Sequence, residues 1–498
     1  MESVSKRIAL CYWCLAASIF AAILIIASTV QASVLVSGSN GTNQWGRYWN
    51  KGFADVHNIP GARDGAISWT DATGNLWLFG GRGYDVHGDR GELNDLWKYD
   101  PSSGLWTWVS GSDIIRQLGF YGVKGIPSPN NLPAARTKSI SWIDNSGNLW
   151  LFGGWHIEGW DFDVPLNDLW KYEPSSGLWT WVSGSNNRNQ PGIYGVKGVG
   201  EPNNVPGARG GSVSWIDASG NLWLFGGYGL DWLAEDYGWL NDLWKYEPAT
   251  GLWTWMSGSD TINQAGVYWV KGFAHPLNIP GARESSISWI DSSGNLWLFG
   301  GVVWDSSYGA TWYLNDLWKY EPSSGLWTWV SGSDIANEGG SYGVKGIAGA
   351  NNVPGARNGA ISWMDSTGNL WLFGGSSGNL GGYLNDLWKY ELSSGLWTWV
   401  SGSNQYNSSG YLVMGFFDPN NQPGARRGSI SWIDSRGTLW LFGGCGIAVN
   451  FPDSTGYLND LWKFSCDNLV EDLNGDCKVD LIDFSILCSH WLEKGRIE

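Results

Sequence analysis

Near its C-terminus the chain spaces oxygen-bearing side chains as a hard cation requires. Asp472, Asn474, Asp476, Asp480 and Asp483 fall at positions 1, 3, 5, 9 and 12 of one short loop, and Lys478 at position 7 offers its carbonyl. Calcium is held by about six to eight such oxygens, so the expectation is a Ca²⁺ site. Two positions depart from the usual pattern: Cys477 stands at position 6 where glycine is customary, and Asp483 closes the loop in place of Glu. A second group of residues joins tryptophan to carboxylates in segments that differ along the chain: Trp155, Trp160, Asp161 and Asp163; Trp232, Asp236, Tyr237 and Trp239; and Trp304 and Trp312. Indole faces stack on sugar rings while carboxylates bond their hydroxyls, and the same set would equally suit a protein hot spot. The expected ligand is therefore a carbohydrate or glycoprotein, with protein recognition as the alternative. Hydrolysis of a glycoside needs two carboxylates about 5–10 Å apart, which Asp161, Asp163, Glu235 and Asp236 offer only as a general acidic richness. No catalytic residue is assigned.

The elements that carry these residues repeat. A segment opening at Pro60 recurs at Pro133, Pro206, Pro280, Pro354 and Pro423, with spacings of 73, 73, 74, 74 and 69 residues. Each unit holds four apolar runs of strand length, in the first unit Ala66–Thr70, Leu76–Phe79, Leu93–Tyr99 and Leu105–Ser110. Turn residues separate them: Asp71 to Asn75, then Gly80-Gly81, then Asp100 to Gly104. Runs such as Leu76-Trp77-Leu78-Phe79 are apolar on both faces, as in strands covered on both sides. Antiparallel sheets stacked face to face around an axis provide that cover. The sixth unit ends at Phe464 without a fourth strand, and Ser33-Val34-Leu35-Val36-Ser37 matches the missing one. The predicted fold is therefore all-β, a six-bladed propeller over 33–465 closed by its N-terminal strand, with a small α-helical calcium-loop module over 466–498.

Gly80-Gly81 after an apolar strand, Tyr99 seven positions before Trp106, and the Pro60-x-x-Arg63 opening resemble the kelch motif, which recurs six times. The resemblance implies a propeller similar to the central one of galactose oxidase. Kelch propellers mostly bind other molecules, and fold alone says little about activity. A copper site of the galactose-oxidase kind needs two His, two Tyr and a Cys; His57, His87, His156 and His275 lie in separate loops, and Cys445 is in the last unit. The C-terminal loop resembles an EF-hand and one half of a dockerin, with Phe484 to Leu492 as the following helix. Dockerins carry two such loops, and Leu481-Ile482 replaces the polar pair that meets cohesin, so a cohesin-like partner is doubtful.

In a four-stranded blade, the turns joining strands one and two and strands three and four share one face. The connections from two to three, and from four to the next blade, share the other. The first pair is short and nearly invariant here, and the second is long and varied. All variation is expected on one rim, where binding residues sit on loops carried by a rigid frame. The recurring arginines, Arg63, Arg136, Arg209, Arg283, Arg357 and Arg426, are expected to pair with Asp95-type or Glu173-type residues. The recurring tryptophans are expected to pack between blades.

Composition sets limits. The chain has 498 residues, 39 Trp, 72 Gly and a net charge of −16. An acidic balance excludes nucleic acid and anionic membrane surfaces as natural partners. Lys6-Arg7, an apolar run from Ile8 to Val30, and Val30-Gln31-Ala32 are expected to be an export signal cleaved after Ala32, with an uncleaved anchor as the alternative. Either places the rest outside the cytoplasm, secreted or on the cell surface. Cys445, Cys466, Cys477 and Cys488 allow three disulfide pairings, which stay open.

Overall fold

In a computed structural model, residues 32–158, 162–305, 310–378, 381–410, 412, 421–434, 437–449 and 451–465 are described. They form six antiparallel sheets, one per repeat. No helix occurs among the described residues. The signal and the calcium loop lie outside them, as do Trp160 and Asp161.

The first five sheets follow chain order from an inner strand (Ile67–Thr70 in blade one) through a second (Leu76–Tyr84) and third (Arg90–Asp100) to an outer strand (Leu105–Ser110). Leu76 to Phe79 are all at most 5% exposed, because both faces of the blade meet a neighbouring sheet. Six apolar clusters lie between successive blades. One of them joins Trp97, Tyr99 and Trp106 of blade one to Trp432, Trp440 and Phe442 of blade six. Large aromatics suit this position, since each removes about 150–250 Å² from water. Trp69 Nε1 donates to the Trp150 carbonyl of the next blade (3.2 Å), and Trp142, Trp215, Trp289 and Trp432 repeat the contact.

The ring closes through the first residues of the frame. Ser33 pairs with Phe464, Val34 with Lys463, Leu35 with Trp462 and Ser37 with Leu461, so the N-terminal strand Ala32–Ser37 is the outer strand of blade six. Ser465, paired with Ala32, marks the rim that carries the short invariant turns.

The glycine pair behaves differently from expectation. Gly80-Gly81 is no turn: it is a bulge within a continuous second strand, with φ of +65° and +94° and a register shift between Phe79 and Gly81. A Cβ on Gly80 would lie 2.9 Å from the Arg136 carbonyl and 3.0 Å from that of Leu93. Only glycine fits such an approach. Gly81 N donates to Arg136 O (2.9 Å) and Arg136 N to Leu93 O (3.0 Å), so the bulge stitches blade one to blade two. Beyond it the second and third strands run on past the repeated core, and that extension carries the variable residues.

Candidate binding site at the loop rim

The repeated polar residues are occupied by the frame. Arg136 donates to both carboxylate oxygens of Asp168 at 2.7 Å and to the carbonyls of Ala134 and Gly153. Asp168 also accepts from Trp170 Nε1 and Tyr121 Oη, each at 2.7 Å. All six arginines pair in this way with the Asp95-type residue. Glu173 takes Lys171 instead, at 2.6 Å. In the invariant turn, Asp71 accepts from the backbone of Thr73 and Asn75 and from Trp77 Nε1. It is a turn cap.

The long connections do share one rim. The Asp85 carbonyl in the two-to-three turn of blade one accepts from Gly46, ahead of the blade, at 3.1 Å, and its carboxylate accepts from Ile115, after the blade, at 3.2 Å. Asp231 does the same in blade three with Gly192 and Ile262.

At the centre of this rim a circle of backbone hydrogen bonds rings the axis. Gly65 N donates to Gly428 O, Gly428 to Gly359, Gly359 to Ser285, Ser285 to Gly211, Gly211 to Lys138 and Lys138 back to Gly65, at 2.7–3.0 Å. All six residues sit in the left-handed region, with φ from +55° to +72°. Below this closed circle, Ser68 and its five counterparts each bond a carbonyl of the preceding blade. A cavity of about 420 Å³ follows, walled by the inner-strand Ser, Trp and Ile residues.

Above the circle, each blade contributes one cross-strand row, and the six rows differ. They are Asp64–Arg82–Glu92, Thr137–Trp155–Pro165, Gly210–Tyr228–Trp239, Glu284–Val302–Tyr313, Asn358–Ser376–Tyr383 and Arg427–Cys445–Tyr457. Lys138 reaches past blade three to Glu284 (3.0 Å). Gly211 makes the room, since a Cβ there would lie 2.6 Å from the Glu284 carboxylate. Arg82 joins Glu92 (2.9 Å) and Asp163 (3.5 Å). Burial raises the Glu92 carboxyl, with Arg82 acting against it. Burial likewise raises the Asp64 carboxyl, although Arg427, Lys138, Arg82 and Arg90 all favour its charge. Burial pushes the Tyr383 hydroxyl up to about 12, with a contribution from Cys445 Sγ 3.5 Å away.

The sequence-derived candidates divide. Trp155, 8% exposed, stacks on Tyr228 (5.7 Å, 28°) and meets the edge of Tyr237. Tyr228 packs on Trp239 at 4.6 Å. Four aromatics of blades two and three thus form one wall, with Tyr237 Oη bonded to Asn189. Trp232, in the same turn as Tyr237, is 51% exposed, and Asp236 is exposed. Asp163 lies at Arg82, across from this wall. Trp312 is half-buried in blade four, and Trp304 pairs through its backbone with Thr311. The histidines do not converge: His57 bonds Asp55, His275 stacks on Trp269, and His156 is buried against the Ala135 carbonyl (2.6 Å), its pKa lowered by burial. Among the described residues no group of three or more His, Cys, Asp or Glu could hold a metal ion.

Sequence reasoning did not single out Asp64, Lys138, Tyr228, Glu284, Asn358 or Arg427. Their signal was a variable column beside a constant one: the residues just after Pro-x-x-Arg and just after Gly-Gly. Fold and site together define the class, a six-bladed β-propeller with a variable rim. No known family profile matches the chain. No curated protein matches it either.

Proposed function

We propose that the chain is a secreted or cell-surface recognition propeller of the kelch type, which binds a carbohydrate or glycoprotein at the loop rim without turning it over. One observation carries this reading. In a frame of near-identical blades, the residues released from structural duty gather at one rim, which carries an aromatic wall, carboxylates and an exposed Trp232. Such a wall offers flat apolar faces with polar groups at their edges, as sugar recognition requires. Glu92 and Glu284 are engaged by Arg82 and Lys138, which suits holding a ligand better than proton transfer. A glycan array on residues 33–498 tests the proposal. Trp232→Ala should weaken the best binder about tenfold, equivalent to about 1.4 kcal/mol, while leaving thermal unfolding unchanged. An empty array, or unchanged affinity in that variant, counts against it.

The tail is proposed to take one Ca²⁺ through Asp472, Asn474, Asp476, Asp480, Asp483 and the Lys478 carbonyl and to tether the protein. It follows Ser465, on the rim opposite the loops, so a tether there leaves the binding face free. Titration of residues 33–498 with Ca²⁺ should show one site that a 33–465 chain lacks. Equal uptake by both would refute the assignment.

A further inference from the structure

Of the basic residues between 33 and 465, the repeat uses most: six arginines in the buried pairs, five lysines capping outer-strand tryptophans such as Lys51 over Trp108 (4.1 Å), and six in the Leu-Trp-Lys motif. Eight remain, and four of them, Arg82, Arg90, Lys138 and Arg427, act electrostatically on Asp64 at the axial mouth. This gathering occurs in a chain of net charge −16. Arg82 and Lys138 are matched by Glu92 and Glu284. Arg427 faces Asp64, which favours its charge, and lies 6.0 Å over the Tyr383 ring, but its guanidinium makes no hydrogen bond or close ion pair with another described residue. Arg90, exposed, lies 5.8 Å over the Tyr457 ring. A guanidinium whose N–H groups are not spent on the protein is open to an incoming oxygen ligand. The backbone circle beneath uses its own N–H and C=O groups on itself and does not compete for a ligand.

We propose that the axial mouth accepts a carboxylate-bearing sugar residue of the hexuronic acid class, with its carboxylate on Arg427 and its ring against the rim aromatics. Planar two-pronged donation is the geometry in which arginine selects carboxylate over a neutral hydroxyl. The proposal rests on the glycan-binding reading and narrows it to a charge class and a location.

The test is calorimetric titration of residues 33–498 with oligogalacturonate and with its methyl ester, which keeps the ring and removes the charge. The acid should bind at least tenfold tighter than the ester. Arg427→Gln should abolish that preference, and Arg427→Lys should restore part of it. Arg90→Gln, at an exposed position that cannot unfold the ring, should lower acid affinity about threefold and ester affinity little. Equal binding of acid and ester, with Arg427→Gln indifferent, overturns the inference and leaves glycan binding intact. Binding of polyglutamate in place of either sugar, lost in Arg427→Gln, overturns the sugar class. Silence toward every glycan overturns both readings.

Discussion

Replacing Asp168 by alanine is expected to cost the fold about 3–5 kcal/mol, the usual penalty for stranding one member of a buried ion pair. Arg136 and Asp168 are 1% and 0% exposed, and Asp168 gathers two guanidinium bonds, the Trp170 indole and the Tyr121 hydroxyl. Without it, a full charge and two further donors are left in a site closed to water. The urea unfolding midpoint checks this, and a shift worth less than about 1 kcal/mol would sink it. Arg136→Met combined with Asp168→Leu should recover much of the loss, because removing both charges removes the uncompensated one. Acid provides a second readout. Burial alone would raise the Asp168 carboxyl, but the Arg136 charge and the donated hydrogen bonds outweigh it and hold it below the usual carboxylate range. A carboxyl depressed in the fold contributes stability that is complete above its unfolded value, about 3.9, and is lost as pH falls below it. Stability should therefore hold from pH 7 to about 5 and decline below about 4, with a shallower decline in Asp168→Ala. A parallel decline would assign acid sensitivity elsewhere.

Deleting residues 33–37 should open the ring. Four cross-strand pairs with the strand ending at Ser465 disappear, together with the contact of Leu35 against the cluster between blades five and six. At about 1 kcal/mol for each ladder bond and about 1–2 kcal/mol for Leu35, the cost is about 5 kcal/mol. The exposed edge of blade six should then recruit other chains. Size-exclusion chromatography should show oligomers, and a peptide covering residues 32–40, added in excess, should return the monomer. A truncated chain that stays monomeric and equally stable would mean that the N-terminal strand is dispensable.

Trp69, Trp97 and Arg136 were legible because a residue fixed at the same place in every unit answers to the same neighbours in every unit. Closure was legible for the same reason: Ser33 to Ser37 completes a pattern that blade six leaves unfinished. The side of the ring that varies was also readable, since strand parity assigns each connection to a face. The glycine pair was misread as a turn because positive φ serves a turn and a bulge equally. Only the Arg136 and Leu93 carbonyls pressing on Gly80 distinguish them.

The sequence by itself determined the frame: blade number, strand order, the closing strand and the rim free to diverge. Each of these follows from contacts repeated at a fixed interval. The tertiary structure alone decided which divergent residues meet. Lys138 and Glu284 lie 146 residues apart and belong to non-adjacent blades, and Arg427 faces Asp64 only because the ring closes. Such meetings depend on the radius of the circle and the small side of Gly211, quantities that no local spacing encodes.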